Sequence, residues 1–337
     1  MNNKRQHGQY FTVGNPFTSP VFLSWVKLID GIENETILEP FCGANNLPAT
    51  LKKMGWSQNW DTFDIEPSKN SVLPNQIIQQ KDVLLDFPVG YKVSITNPPY
   101  LAKNSANRRG LGFPETVYDD LYQHCVDKVL SNVEYAAIII PESFLVQNLF
   151  HDRIYAVVSL SGSHFADTEH PVCLALFIPK KSTTDFEIWR NDIKIGNFKS
   201  LSIKIPKNID SKMDISFNDK SGAIGIRCVD NQKESSIVFV RGESISKDSI
   251  KQTSRAITRV SCASLPAESV DLFIMVANKI LKTYREETSD VFLTAFKGER
   301  KDGLYRRRLD FATARNIIKL AVTEVKNIGV NDTNGER

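Results

Sequence analysis

No stretch of this chain approaches the roughly 20 consecutive apolar residues that a membrane-spanning helix needs, and the opening residues MNNKRQHGQYF hold no apolar leader-like segment. The expectation is a cytoplasmic protein with no membrane partner. Cysteine is sparse: Cys42, Cys125, Cys173, Cys228 and Cys262 are odd in number and far apart, with no C-x-x-C. That excludes a disulfide framework and gives no zinc signature. His151, His164 and His170 fall close together without metal-ligand spacing, and surface loops account for them. Neither G-x-G-x-x-G nor G-x-x-x-x-G-K-[ST] occurs, which argues against a dinucleotide or a triphosphate. There is no internal repeat and no low-complexity segment.

What is present suits two ordinary globular domains. The 337 residues are 41% apolar and 24% charged. Net charge is only +3, yet residues 1–180 carry 14 Lys and Arg against 18 Asp and Glu, whereas residues 181–337 carry 28 against 21. The second half is the basic one. Its densest run, KGERKDGLYRRR from Lys297 to Arg308, reads as a solvated loop or a phosphate-contacting patch.

Up to about residue 180, strand and helix signals alternate. Ser19-Pro20 starts a helix, TILEP is a short strand, and Pro48 and Gly55 bracket a second helix. Strands follow at WDTFDI, near QIIQQ and at KVSIT, a helix at TVYDDLYQHCVDKVLSN, and a buried strand at AAIIIP. IYAVVSLSG and CLALFIP complete a doubly wound α/β domain with a terminal antiparallel pair. Residues 181–260 look strand-rich and irregular. Two helices with apolar stripes follow, one over Val270, Phe273, Ile274, Ala277, Leu281 and Tyr284, the other over Phe311, Ala314, Ile318, Ala321 and Val325. The expected division is a catalytic domain at 1–180, a mixed α+β domain at 181–330 and a disordered tail at 331–337.

Three strand ends carry the chemistry. Asn97-Pro98-Pro99-Tyr100 closes a buried strand, and two prolines fix two φ angles and push Asn97 toward an extended conformation, so a rigid group is presented there. A proline turn with an asparagine bonding its own backbone is the plainer account. ILEPFCGANN, Ile37 to Asn46, runs from strand into a turn of small residues; Gly43 permits close backbone approach, and Glu39 sits where a carboxylate meets a cationic or hydroxylated ligand. FDIEP places acids roughly 20 residues further on, the spacing of a carboxylate that bonds ribose hydroxyls. A ribose without a phosphate-binding loop fits an adenosyl ligand.

Together GQYFT, LEPFCGANN, FDIEP, KDVLLDF, TNPPY and AAIIIPESFL resemble, in this order, the motifs of S-adenosylmethionine-dependent DNA adenine-N6 methyltransferases of the gamma subgroup, in which target recognition is C-terminal. The resemblance covers roughly the first 180 residues and implies a class I, Rossmann-like methyltransferase sheet. It implies that Thr12 and Glu39 meet the methionine portion of S-adenosylmethionine and that Phe41, Cys42 and Gly43 form the turn beside it. Asp64 aligns with the ribose ligand, with Glu66 as competitor; Asp82 would accept from the cofactor's adenine amine while Val83 packs on its ring. Asn45-Asn46 stands where many members carry glycine, a substitution that Asn's tolerance of left-handed backbone permits.

The implied reaction transfers a methyl group to adenine N6 in double-stranded DNA. Asn97 and the Pro98 carbonyl would accept the two N6 hydrogens, Pro99 would stiffen that carbonyl, and Tyr100 and Phe165 would stack on the flipped base. Core packing is the alternative role for Phe165. Lys103, Arg108 and Arg109, read as a polar loop after Tyr100, and Arg306, Arg307 and Arg308, read as partly outward-pointing, are the candidate phosphate contacts. The resemblance implies either a restriction-modification pair, with a separately encoded restriction endonuclease as partner, or an orphan enzyme, and a monomer as the state. Three other readings stand beside this one. They are RNA adenine-N6 methylation, a non-catalytic DNA-binding module that keeps the fold, and a fused nuclease built on Asp290 and Glu299 to Lys301, the last set aside because such a triplet is common by chance and the second half could hardly hold both recognition and cleavage.

Overall fold

The computed structural model describes residues 15–160, 171–210 and 212–334, with side chains up to residue 328. It comprises two units, Met1–Phe198 and Lys199–Arg337. The division falls later than the composition shift near residue 180 because two further strands pair with the sheet of the first unit.

In the first unit, Ser19 is extended and Pro20 occupies the first turn of α1 (Pro20–Val26), where its missing N–H costs nothing. α1 buries Val21, Phe22 and Trp25, and the Trp25 indole donates to the Phe177 carbonyl at 2.8 Å. The chain continues through β1 (Ile37–Glu39), α2 (Asn46–Lys53), β2 (Trp60–Asp64), β3 (Ile78–Gln80) and β4 (Val93–Thr96). Then come α3 (Lys103–Arg109), α4 (Leu121–Asn132), β5 (Tyr135–Pro141), β6 (Ile154–Leu160), β7 (Val172–Phe177), β8 (Glu187–Arg190) and β9 (Ile193–Asn197). α4 starts at Leu121 rather than Thr116, because Gln123 Oε1 turns back to accept from the Asp119 and Asp120 amides and fixes the helix start there.

The nine strands form one sheet in the order β3-β2-β1-β4-β5-β7-β6-β8-β9. Strands β3 to β5 along that order are parallel, β7 runs antiparallel to both β5 and β6, and β6 pairs in parallel with β8. The mixed α/β class with a large, mostly parallel sheet is therefore as expected. The antiparallel pair is present but not terminal. β6 has a second edge of backbone donors and acceptors, and β8 satisfies it, with β9 as the outer strand.

Buried Arg153 binds the helix layer to this sheet. Its guanidinium donates to the carbonyls of Leu130 at 2.7 Å, Val133 at 3.0 Å and Glu134 at 2.7 Å, and also to Ile178. Carbonyls left open at the end of α4 are thereby satisfied by a charged donor.

In the second unit β10 (Ile215–Phe217), β11 (Ile224–Arg227), β12 (Val238–Arg241) and β13 (Ile257–Cys262) make an antiparallel sheet in the order β10-β13-β11-β12. Gly222 and Gly242 permit its tight corner: a Cβ on Gly222 would lie 2.4 Å from the Val260 backbone, and one on Gly242 would lie 2.1 Å from the Gly222 carbonyl. α5 (Val270–Thr288), the hairpin β14 (Thr294–Glu299) and β15 (Tyr305–Arg308), and α6 (Phe311–Asn334) complete it. Asp310 caps α6, its carboxylate accepting from the Thr313 amide at 2.9 Å and the Thr313 hydroxyl at 2.8 Å. α6 continues to Asn334, so residues 331–334 of the expected tail are helical.

The arginine run is a strand rather than a loop, with Arg307 buried and Arg306 and Arg308 half-buried. Arg306, Arg307 and Arg308 form most of β15; Arg307 is 3% exposed, and Arg306 donates to the Asp230 carbonyl at 2.8 Å while lying over the Phe296 ring. The physical reason is a fully buried carboxylate, Asp230. It accepts from Arg285 at 3.0 and 2.9 Å, from Arg300 at 3.3 Å, and from the amides of Ser236, Ile237 and Arg307. A buried anion of this kind needs cations and amides around it; Arg285 and Arg300 supply the cations, and β15 supplies the Arg307 amide. Among the described residues no helix is long and apolar enough to cross a membrane.

Candidate functional site

Because β2, β1 and β4 are adjacent and parallel, Asp64, Glu39 and Thr96 close neighbouring strands at the same edge of the sheet. The chain reverses its direction of strand addition between β1 and β4, which makes this edge the switch point where open α/β sheets leave a crevice.

Glu39 is 1% exposed. Its Oε1 accepts from the Thr96 hydroxyl at 2.5 Å and the Phe41 amide at 3.1 Å, whereas Oε2 is buried with no partner among the described residues. Burial, with the nearby Asp64 carboxylate adding to it, pushes the Glu39 carboxyl up to about 8. The Thr96 bond ties this acid to the residue immediately before Asn97.

The turn after β1 is built as its composition suggested. Gly43 has φ 55°, and Asn45, fully buried, takes the left-handed conformation (φ 64°, ψ 30°) as the first cap of α2. An asparagine thus does what a glycine does elsewhere. Its amide nitrogen donates to Ser71 at 3.1 Å, and its Oδ1 is buried without a partner among the described residues. Asp64 clamps the turn from β2: one carboxylate oxygen accepts from the Gly43 amide and the other from the Glu66 amide, both at 2.8 Å. Glu66 itself is exposed. The Cys42 amide donates to the Phe63 carbonyl at 2.9 Å, and burial beside Glu39 and Asp64 pushes the Cys42 thiol far up, so it stays protonated and inert. Asp82 is half-buried and turns its own loop by accepting from the Leu84 amide at 3.0 Å; Val83 beside it is 3% exposed.

At the end of β4, Asn97 is half-buried and Pro98 buried, and the Pro98 carbonyl accepts no hydrogen bond from the described residues. The Tyr100 hydroxyl lies 2.5 Å from Asn97 Oδ1 and 2.8 Å from the Ile139 carbonyl of β5. One hydroxyl proton cannot serve two acceptors. Donation to Ile139 would require the Asn97 amide to present its NH2 to Tyr100 and turn its oxygen the other way. The Tyr100 ring is 8% exposed and meets Tyr122 edge-on at 6.2 Å, so it is packed rather than displayed.

Lys103, Arg108 and Arg109 do not form a loop. They lie on α3, ended by Gly110 at φ 65°, with all three side chains exposed and the two arginines in the last turn, where cations suit the helix dipole. Thr12 and Phe165 lie outside the described residues, as do His164 and His170. Two contributors went unread in the sequence: Thr96, whose role depends on a neighbouring strand, and Asp120, half-buried with one orphaned oxygen and pushed by burial to about 6. Asp120 pairs with Ala102 in an isolated bridge and so supports the segment after Tyr100. Asp290, the proposed nuclease acid, is engaged by Arg285 at 2.8 Å. No group of three or more His, Cys, Asp or Glu among the described residues could hold a metal ion.

No protein-family model and no curated protein matches the chain. Among solved structures it is similar to a type I restriction-modification methyltransferase subunit from Streptococcus thermophilus, at 14% identity and TM-score 0.39, over 60% of this chain and 49% of that one. A modification subunit of a putative type I restriction enzyme from Vibrio vulnificus gives 14% identity and TM-score 0.35, over 54% and 47%. A putative class I S-adenosylmethionine-dependent methyltransferase from Listeria monocytogenes gives 16% and 0.33, over 51% and 64%. The chain spans less than two thirds of each of these proteins, and likenesses this distant carry no argument about activity.

Proposed function

We propose that the protein is an S-adenosylmethionine-dependent DNA methyltransferase acting on adenine N6. The observation that carries this reading is the orphaned, buried Glu39 Oε2 at the switch point, one hydrogen bond away from the residue that precedes Asn97. An acceptor buried this deeply without a partner is costly. A cationic ammonium group, such as the amino-acid end of S-adenosylmethionine, satisfies it. The residues present therefore fit that cofactor: Glu39 for the ammonium, the Phe41, Cys42 and Gly43 turn for close backbone approach, Asp64 or Glu66 for the ribose, and Asp82 with Val83 for the adenine.

Bound S-adenosylmethionine supplies an electrophilic methyl group. The chain supplies position. The adenine exocyclic amine is a weak nucleophile because its lone pair is delocalised into the ring. Asn97 Oδ1 and the Pro98 carbonyl, accepting its two hydrogens, favour a tetrahedral nitrogen, and the prolines hold that carbonyl still so that no reorganisation is needed. In this scheme Tyr100 positions Asn97 through its hydroxyl. Its assignment to base stacking requires the packed ring to become uncovered when the base enters. The first unit would be the catalytic domain and the second the target-recognition domain.

RNA as substrate is the alternative. Incubating the protein with labelled S-adenosylmethionine and either duplex DNA or structured RNA, followed by nucleoside analysis, separates the two. Label in N6-methyladenine from duplex DNA supports the proposal; label only in RNA, or in no nucleic acid, overturns it.

A further inference from the structure

Within the run at 306–308 Arg307 is buried and Arg306 and Arg308 are half-buried, which leaves the more exposed cations of the second unit to be considered for contact with a polyanion. Three of its other arginines are committed to carboxylates. Arg241 pairs with Asp271, and Arg285 and Arg300 share Asp230, Asp290 and Asp302.

Two others are not. Arg255 lies over the Phe311 ring at 5.0 Å, and Arg315 lies over the Phe217 ring at 5.1 Å. The two rings stack on each other with centroids 4.4 Å apart and planes 20° from parallel. The result is a four-layer pile, Arg255, Phe311, Phe217, Arg315, built from the loop before β13, the start of α6, the end of β10 and the next turn of α6. Neither guanidinium is paired with a carboxylate among the described residues. Each spends one donor locally: Arg255 on the Ser254 carbonyl at 3.3 Å, Arg315 on the Ile215 carbonyl at 2.8 Å.

This geometry matters because a guanidinium has five N–H donors in its plane. A ring beneath the plane fixes the orientation without using those donors, so the fork is held ready for a bidentate oxyanion. Much of the entropy of ordering a long side chain is spent in folding rather than in binding. The two forks rest on different rings of the stacked pair, and a ligand with repeated phosphates can meet both. Exposed Lys251 and Arg227 extend the same end of the sheet, Arg227 being paired in register with Ile257, two residues from Arg255.

We propose that the Arg255–Phe311–Phe217–Arg315 pile is a phosphate-backbone contact of this chain with duplex DNA. This rests on the proposed function for the choice of duplex DNA as the polyanion. Phosphate contacts position a duplex without reading its sequence, so the pile would set register and leave base readout to other side chains.

The test titrates a labelled duplex of fixed length with the full chain over a range of salt concentrations, for the parent, Arg255→Gln alone, and Arg255→Gln with Arg315→Gln. Unfolding midpoints check that each variant is folded, and because Arg255 is exposed its single variant keeps the test alive if the double variant is not. The double variant is expected to bind every duplex several-fold more weakly and to lower the slope of log K against log salt by about 2; the single variant lowers it by about 1. A double variant carrying Lys at both positions should keep the slope and still lose affinity, because charge remains and the fork does not. Unchanged affinity and slope in folded Gln variants, with the parent binding duplex, overturn the pile and leave the proposed function standing. A parent that binds S-adenosylmethionine but no duplex overturns the choice of substrate. A parent that binds single-stranded RNA with the full slope and duplex weakly overturns the assignment to duplex DNA.

Discussion

Replacing Glu39 by Gln gives the sharpest reading of the buried acid. In the folded chain the Glu39 carboxyl sits at about 8 against an ordinary 4.5, chiefly through burial. An acid raised in this way keeps its proton in the native state while the unfolded chain loses it. Native stability is therefore highest below the unfolded value and falls as pH rises from about 4.5 through about 8. At roughly 1.4 kcal/mol per unit, the full loss is on the order of 5 kcal/mol, an upper bound because a buried site relaxes and admits water. Glu39→Gln keeps the shape and the Phe41 contact but cannot ionise. Its stability should match that of the parent below about pH 4.5 and should exceed it by a growing margin from there to about pH 8, since Gln is spared the cost of a buried charge. The same logic makes binding of an ammonium-bearing ligand release close to one proton per site at neutral pH, where the free carboxyl is roughly nine-tenths protonated. Denaturant unfolding across the pH range and calorimetry in buffers of different ionisation enthalpy read both effects. Parallel stability curves for parent and variant, together with buffer-independent binding heats, would refute the reasoning.

The other expectations follow from single contacts. Asp230→Ala leaves Arg285 and Arg300 buried without their shared anion and should cost about 3 to 5 kcal/mol of second-unit stability, seen in denaturant unfolding; a loss below about 1 kcal/mol would show that the network is dispensable. Arg307→Gln should lower stability by about 1 to 3 kcal/mol rather than merely weaken DNA binding, because the side chain is buried; unchanged unfolding with weaker binding would reinstate an exposed role. Tyr100→Phe removes the hydroxyl that touches Asn97 and Ile139. It should reduce the transfer rate about tenfold to a hundredfold with little change in affinity for S-adenosylmethionine, whereas a loss confined to DNA affinity would favour base stacking alone.

Local chemistry was readable from the sequence. Ser19-Pro20 and Gly55 are signals whose meaning depends on nearest neighbours, and each stands at its expected helix end. The left-handed Asn45 is similar, because few non-glycine residues adopt that conformation and Asn is one of them. What was missed depends on partners distant along the chain. Nothing local distinguishes Arg307, held beside Asp230, from the exposed Arg255, although both occur in basic, polar stretches. Arg153 likewise reads as a surface charge until the end of α4 is brought against it. The position of β6 inside the sheet, rather than near its edge, became visible only with β8 in register along it. In the site, Glu39 and Asn97 were legible as types at strand ends, while the Thr96 hydroxyl between them was not, since that link needs two strands side by side.

The most direct measurement of the central claim is methyl transfer to duplex DNA by the parent and by Asn97→Ala, with S-adenosylmethionine affinity measured on the same preparations. The account predicts N6-methyladenine from the parent and none from the variant, while the variant's cofactor affinity stays within a few-fold, because Asn97 meets the target amine and Glu39 holds the cofactor. Equal methylation by the two proteins, or a methyl group found on any other atom of the DNA, would contradict it.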